Sequence, residues 1–228
     1  MISKHILGTF DEALDALRNN VLMMASLAER SLSHALNGLA QRDDDLCATS
    51  IADDEEIDQL EKQVDKDGIE LLLRFQPVAS DLRRVVSAMK LSSNLERMGD
   101  QAVNIARKAR KLSRHPLLPE LELIAPMREH AMQMFRDSVD AYVREDVELG
   151  RSLKARDKTL DEMNATASRR LIERMAQDPE QLRGYLNLLF IARHLERVGD
   201  HATNIAEDAI YAAAAEDIRH QPCVPADR

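Results

Sequence analysis

A twelve-residue motif occurs twice in this chain, at an offset of 100 residues. Residues 95–106 read LERMGDQAVNIA, and residues 195–206 read LERVGDHATNIA. Nine of the twelve positions are identical. The repeat predicts a chain built from two copies of one structural unit, each carrying the motif in the same kind of element.

The composition indicates that this element is a helix. The 228 residues include 7 glycines, 7 prolines and 3% aromatic side chains, too few for the turns and strands of an all-β protein. We predict an all-α protein of two tandem, pseudo-symmetric three-helix bundles with six long helices. The predicted segments are 9–41, 45–75, 78–113, 120–144, 148–177 and 179–217.

The breaks between these segments also predict the domain organisation. We expect a first three-helix bundle at residues 1–114, a second one at 115–217 and a disordered tail at 218–228. The net charge is −9 with no basic block, which argues against nucleic acid as a partner. No apolar run is long enough to span a membrane, and the first residues turn polar too early for a signal peptide. We therefore expect a cytoplasmic protein.

Each copy of the motif carries a stripe of oxygen-bearing side chains. Glu96, Asp100 and Asn104 recur every four residues, on a helix face turned away from the apolar seam. The second copy repeats this stripe with Glu196, Asp200 and Asn204. The preceding helix of each half contributes an Asp-x-x-x-Asp pair, formed by Asp54 and Asp58 and by Asp157 and Asp161.

The residues alone leave two interpretations of these carboxylates open. Charged helix faces are usually only solvated. However, like charges four residues apart destabilise a helix slightly, and Gly99 and Gly199 in mid-helix cost about 1 kcal/mol each relative to alanine. Clustered carboxylates with a nearby amide are the donor set of an oxygen-only site for a hard cation.

Other side chains near the motif have simpler predicted roles. His194 and His201 flank the second motif, where the first half has Asn94 and Gln101, and we predict surface or packing roles for both histidines. Arg97 follows Glu96, and we expect it to form an ordinary surface ion pair.

The doubled motif with its upstream Asp-x-x-x-Asp partners resembles the PhoU family of phosphate-uptake regulators, over about residues 5–215. The resemblance implies multinuclear metal clusters on the bundle surface, with iron expected first and Mn, Mg or Zn as alternatives. It assigns to the first site Asp54, Asp58, Glu96 and Asp100, and to the second site Asp157, Asp161, Glu196 and Asp200. Two further candidate ligands are Asn104 and Asn204.

The resemblance also implies a regulatory function and no catalysis. PhoU-like proteins are cytoplasmic adaptors that couple the phosphate ABC transporter to a phosphate-sensing histidine kinase when phosphate is plentiful, and so hold the phosphate regulon off. We expect a homodimer that reaches the membrane only through protein partners. The alternatives are a carboxylate-bridged, metal-dependent hydrolase or oxidase and a metal-free helical scaffold.

Overall fold

The computed structural model describes residues 2–219, with side chains described from residue 8 onward. Within this range the chain forms seven α-helices and two short 3-10 helices. The α-helices are α1 (Ile2–Gln41), α2 (Asp44–Ala52), α3 (Asp54–Phe75), α4 (Ala79–Leu112), α5 (Ile124–Arg144), α6 (Val147–Gln177) and α7 (Leu182–Ala214). The all-α prediction is confirmed, and the six predicted long helices are present together with one short helix, α2.

The second predicted segment, 45–75, consists of two helices instead of one. A new helix begins at Asp54, directly after the junction residue Asp53. The side chain of Asp53 accepts a hydrogen bond from Nη2 of Arg30 at 2.8 Å and lies 3.5 Å from Nδ1 of His34. These contacts fix the junction to α1, a constraint that comes from tertiary structure and has no signal in helical periodicity.

The two halves share one hydrophobic core. In the first half α1, α3 and α4 pack against one another, with α2 on α1 and α4, and in the second half α5, α6 and α7 do the same. α4 packs as extensively against α7 as against α1, and α7 packs against α5 and α6, so the two motif helices lie at the centre of the molecule. Leu95 and Leu195, the first residues of the two motifs, are both fully buried in this core.

Two polar contacts show how the halves are related. Nδ1 of His194 lies 2.8 Å from Oε1 of Gln101, and Nδ1 of His201 lies 3.3 Å from Oδ1 of Asn94. Positions 94 and 194 are equivalent in the repeat, as are 101 and 201. Exchanging the two halves therefore converts one contact into the other. This is the pattern expected of a pseudo-two-fold axis between α4 and α7. Both histidines are packing side chains, as predicted.

The ends of the predicted domains are only partly described. The predicted boundary near residue 114 follows the end of α4 at Leu112. Most of the tail predicted for residues 218–228 lies outside the described residues, and Ile218, within them, is buried. Between residues 2 and 219, no helix combines the length and the apolar character that crossing a bilayer requires.

Candidate metal centre

In each half, a motif glycine allows the preceding helix to approach the motif helix closely. A Cβ atom on Gly99 would lie 3.0 Å from Cδ1 of Ile57, and one on Gly199 would lie 2.5 Å from Cδ2 of Leu160. Ile57 and Leu160 are fully buried. Packing therefore explains the two mid-helix glycines, which the sequence alone associated with the neighbouring carboxylates.

The first half brings its four predicted carboxylates together at this contact. Asp54 and Asp58 come from the first turns of α3, and Glu96 and Asp100 from the middle of α4. Desolvation and the charges of Asp58 and Asp100 raise the pKa of Asp54. Desolvation, followed by the charge of Asp100, raises the pKa of Glu96 to about 7. The charge of Asp58 also acts on Glu96, so Asp58 and Asp100 each repel both Asp54 and Glu96, and a cation would relieve this repulsion.

The second half repeats this arrangement between α6 and α7. Desolvation raises the pKa of Asp157 to about 7, and the charges of Asp200, Asp161 and Glu196 add to the shift. Desolvation and the neighbouring carboxylates also raise the pKa values of Glu196 and Asp200. The four predicted residues of the second site are therefore neighbours as well.

One buried carboxylate oxygen in each cluster has no hydrogen-bond partner among the described residues: Oε2 of Glu96 and Oδ1 of Asp157. Arg97 forms ion pairs with Glu96 and Asp100, at 3.3 Å and 3.4 Å, as predicted for a surface arginine. The first of these joins Nε of Arg97 to the same Oε2 of Glu96, so Oδ1 of Asp157 is the oxygen with neither a hydrogen bond nor an ion pair within the described part of the chain. A buried acceptor without a hydrogen bond is costly, and a hard cation is a suitable partner for it. The donor chemistry of both clusters therefore fits a metal ion.

The carboxylates do not stand in a finished coordination sphere. Within residues 8–219, no group of three or more His, Cys, Asp or Glu side chains is already arranged to hold an ion. The side chain of Asp100 is 43% exposed, and Asp161 and Asp200 are also exposed. An ion would therefore bind at an open surface, where exposed carboxylates can turn toward it without any change in helix packing.

The two asparagines of the stripes have different surroundings. Nδ2 of Asn204 donates to Oδ1 of Asn94 at 3.4 Å, so its amide nitrogen takes part in the contact between the halves. Its amide oxygen is the atom that a cation would take. Asn104 is half-buried on α4, one turn after Asp100. The assignment of Asn104 and Asn204 as additional ligands stays a prediction.

The family model described as the PhoU domain matches residues 21–109 and 124–209, one match in each half of the chain. The chain belongs to the PhoU family. Each match contains one copy of the repeated motif and its upstream aspartate pair, so the PhoU domain coincides with the structural unit that carries each carboxylate cluster.

Similar proteins agree with this membership. The chain is 36% identical to the phosphate-specific transport system accessory protein PhoU homolog of Pseudomonas putida, over 96% of this chain and 86% of that protein. It is 34% identical to the phosphate-specific transport system accessory protein PhoU of Escherichia coli (strain K12), over 96% and 91%.

Solved structures show the same fold. The crystal structure of PhoU from Pseudomonas aeruginosa matches with a TM-score of 0.88 and 35% identity, over 91% of this chain and 100% of that one. The phosphate transport system regulatory protein PhoU from Streptococcus pneumoniae matches with a TM-score of 0.84 and 29% identity, over 91% and 98%. The two-bundle helical architecture is therefore that of PhoU proteins.

Glu61 is a member of the first PhoU-domain cluster that sequence reasoning missed. The pKa of Glu96, which burial raises most, is raised further by the charge of Glu61. Burial and the charges of Asp65 and Asp58 in turn raise the pKa of Glu61. The available signal was its spacing, because Glu61 follows Asp58 by three residues and so shares its helix face.

Glu207 is the corresponding addition to the second PhoU-domain cluster. Its charge adds to the rise in the pKa of Asp157 that burial begins. The equivalent position of the first half is Arg107, which lowers the pKa of Asp54. The second cluster therefore has a carboxylate where the first has a cation.

Proposed function

We propose that this chain is a negative regulator of the phosphate regulon and of phosphate uptake. It acts as a metal-binding adaptor that couples the phosphate ABC transporter to a phosphate-sensing histidine kinase when phosphate is plentiful. Membership in the PhoU family carries this proposal, because its relatives are named as phosphate-specific transport system accessory proteins. The chain works in the cytoplasm and reaches the membrane through these protein partners.

The two carboxylate clusters support metal binding as part of this role. Each gathers at least five acidic side chains, Glu61 and Glu207 included, and in the second cluster Oδ1 of Asp157 is buried without a hydrogen bond from the described residues. Multinuclear clusters of iron are the first expectation, with Mn, Mg and Zn as alternatives. The ions would neutralise charge that otherwise opposes the close approach of the two helices in each half.

An adaptor role suits these clusters better than hydrolysis or oxidation. Metal-assisted catalysis needs a shaped cavity that excludes water around the reacting groups. Asp161 and Asp200 are exposed, and the side chain of Asp100 is 43% exposed. Such open clusters are accessible to a partner surface, and we propose a function without catalysis.

A phosphate-regulated promoter reporter tests the regulatory role. In excess phosphate we expect high expression in a strain that lacks this gene, and low expression once the gene is restored. Equally low expression with and without the gene would contradict the proposal. Self-association to a homodimer stays a prediction, which light scattering of the purified chain would test.

Metal analysis of the untagged protein tests the role of the clusters. We expect bound metal in the wild type and its loss in a variant with Glu96→Gln, Asp100→Asn, Glu196→Gln and Asp200→Asn. The matched control, Glu162→Gln with Glu173→Gln, changes exposed carboxylates of α6 outside the predicted ligand set and should keep the metal. A wild-type protein without any bound ion would leave the metal-free scaffold as the better description.

A further inference from the structure

The end of α4 and the residues that follow it form a basic run, although the chain as a whole is acidic. From Gln101 to Pro119 the sequence contains no acidic residue. Within this stretch, six basic side chains fall in nine positions: Arg107, Lys108, Arg110, Lys111, Arg114 and His115. The run corrects the expectation of a chain without a basic block, which rested on the overall charge of −9.

Part of this run faces the beginning of α7 across a surface cleft of about 380 Å³. Lys111, Arg114 and His115 line the cleft from the side of α4. The lining from α7 includes Arg183 and Phe190. Nζ of Lys108 lies 4.1 Å from the centroid of the Phe190 ring, a cation–π contact that holds this lysine beside the cleft.

On the α7 side the cleft continues into an exposed apolar ridge. Leu182, Leu186 and Phe190 are 43%, 37% and 42% exposed. Because they are spaced four residues apart, they lie on one face of the helix and form a continuous strip. An apolar strip with a polar rim is typical of a protein interaction site.

The basic rim of this ridge is not neutralised within the described chain. Among residues 8–219, the ion pairs involve other cations, and none of them joins a carboxylate to Lys108, Lys111, Arg114 or Arg183. The basic rim therefore presents concentrated positive charge on a chain that is acidic as a whole.

The symmetry-related end of the described chain has an exposed leucine, Leu82, at the position equivalent to Leu182, but it lacks the same basic rim. The repeat positions equivalent to Lys108 and Phe190 are Asp208 and Lys90. These two form an ion pair of 3.2 Å, so the lysine at this end is paired with a carboxylate. The equivalents of Lys111 and Arg114 are neutral: Tyr211 and Ala214. The basic cleft is therefore a property of one end of the molecule and not a by-product of the repeated fold.

We propose that this ridge and its basic rim form a docking surface for an acidic amphipathic helix of a partner protein. The apolar stripe of such a helix would pack on Leu186 and Phe190, and its flanking carboxylates would pair with Lys111 and Arg114. The cleft between the end of α4 and the start of α7 is concave, so a third helix can lie along it. A flat membrane surface would contact only the residues at the edges of the cleft. The inference deepens the proposed function and rests on it for the role of the partner.

A designed peptide provides the probe. It is a fluorescein-labelled helix of about 18 residues, roughly five turns, with leucines on one face and glutamates elsewhere. Fluorescence anisotropy with the full chain should show binding that Lys111→Glu with Arg114→Glu weakens about tenfold or more. Phe190→Ala should weaken it about tenfold through loss of the apolar anchor.

Two controls separate docking from simple charge attraction. Arg169→Glu with Arg170→Glu makes the same charge change on the exposed face of α6 and should leave the affinity within about twofold. A peptide of the same composition with its leucines scrambled should bind at least about fivefold more weakly. Equal binding of the scrambled peptide, or unchanged binding by the cleft variant, would overturn the proposal. So would binding to phosphatidylglycerol vesicles without peptide binding, since the surface would then serve a membrane.

The promoter reporter separates this proposal from the proposed function. With both variants produced at wild-type levels, the cleft variant should lose repression in excess phosphate and the α6 variant should keep it. If wild type and both variants repress equally, the docking proposal fails while the regulatory function stands. If the wild type itself does not repress, the regulatory function fails, and the peptide measurement still decides whether the surface binds an acidic helix.

Discussion

Nδ1 of His194 lies 2.8 Å from Oε1 of Gln101, in a contact that joins α7 to α4 at the centre of the molecule. Nε2 of Gln101 donates to the carbonyl oxygen of Arg97, so the amide oxygen faces the imidazole and Nδ1 is the donor. Burial, with the nearby charge of Lys108, lowers the pKa of His194 to about 4. The contact between the halves is therefore made by a neutral histidine.

Replacing His194 with asparagine, the residue at the equivalent position 94, should reduce the loss of stability in acid. The folded-state pKa of about 4 lies below the unfolded value of about 6.5, so the unfolded chain takes up the proton first as the pH falls. Between these values the wild type loses free energy of unfolding that His194→Asn does not lose. Urea unfolding at about pH 7 and about pH 5 measures the difference. Parallel pH dependence of the two proteins would contradict the neutral, half-buried state of this histidine.

Neutralising the half-buried carboxyl groups of Glu96 and Asp157 should stabilise the metal-free protein at alkaline pH. The pKa values of Glu96 and Asp157, about 7 when folded, exceed their unfolded values of about 4. Stability from these groups is therefore present in acid and lost as the pH rises through about 7. With a chelator at about pH 8, Glu96→Gln and Asp157→Asn should each unfold at higher urea than the wild type, with a smaller gain at about pH 5. Glu162→Gln on the exposed face of α6 is the control, and a lower stability of both cluster variants at every pH would refute the expectation.

Metal addition should stabilise the wild type more than the cluster variants. An ion that binds only the folded chain raises its stability in proportion to the logarithm of the ion concentration, and the variants have lost one oxygen ligand each. We expect Mn²⁺ or Fe²⁺ to raise the Tm of the wild type more than that of the Glu96→Gln, Asp157→Asn double variant. Calorimetry with matched chelated samples gives the comparison. An equal rise in both proteins would place the ion elsewhere on the chain.

The two motif glycines should respond differently to alanine. Either substitution gains about 1 kcal/mol in helix propensity. At Gly199 the new Cβ atom would lie 2.5 Å from Cδ2 of the buried Leu160 and 3.2 Å from Oδ1 of Asp157, so we expect a net loss of about 1–3 kcal/mol. At Gly99 the nearest atom is Cδ1 of Ile57 at 3.0 Å, so the gain and the strain should come closer to cancelling. Chemical denaturation of both variants tests this, and a Gly99→Ala variant that loses more stability than Gly199→Ala would show the packing account to be wrong.

Periodicity and proline placement predict the long helices well, because an amphipathic pattern depends on near neighbours in sequence. The predicted ends at residues 113, 144 and 177 compare with observed ends at Leu112, Arg144 and Gln177. The break at Asp53 was not predicted, since it depends on contacts with Arg30 and His34 of another helix. Local pattern cannot contain that information.

From the sequence, only those residues of the candidate site that occur in both halves of the repeat could be predicted. The doubled motif identifies the carboxylates that the two halves share, and these prove to be neighbours. The repeat positions equivalent to Glu61 and Glu207 are Asn164 and Arg107, which are not acidic. A comparison of the two halves therefore does not identify these two glutamates. Their membership depends on which side chains face each other across two helices, and only the packed structure supplies that.

The cross-pairing of the halves couples residues that are not equivalent in the repeat. Position 94 contacts position 201, and position 101 contacts position 194, so each copy of the motif is constrained by a different position of the other copy. Asparagine and glutamine stand in one copy where histidine stands in the other. A substitution at His201 therefore acts on Asn94 of the other half and not on its own repeat equivalent, Gln101. The two copies can differ in sequence at these positions because the same pair of contacts still joins the halves.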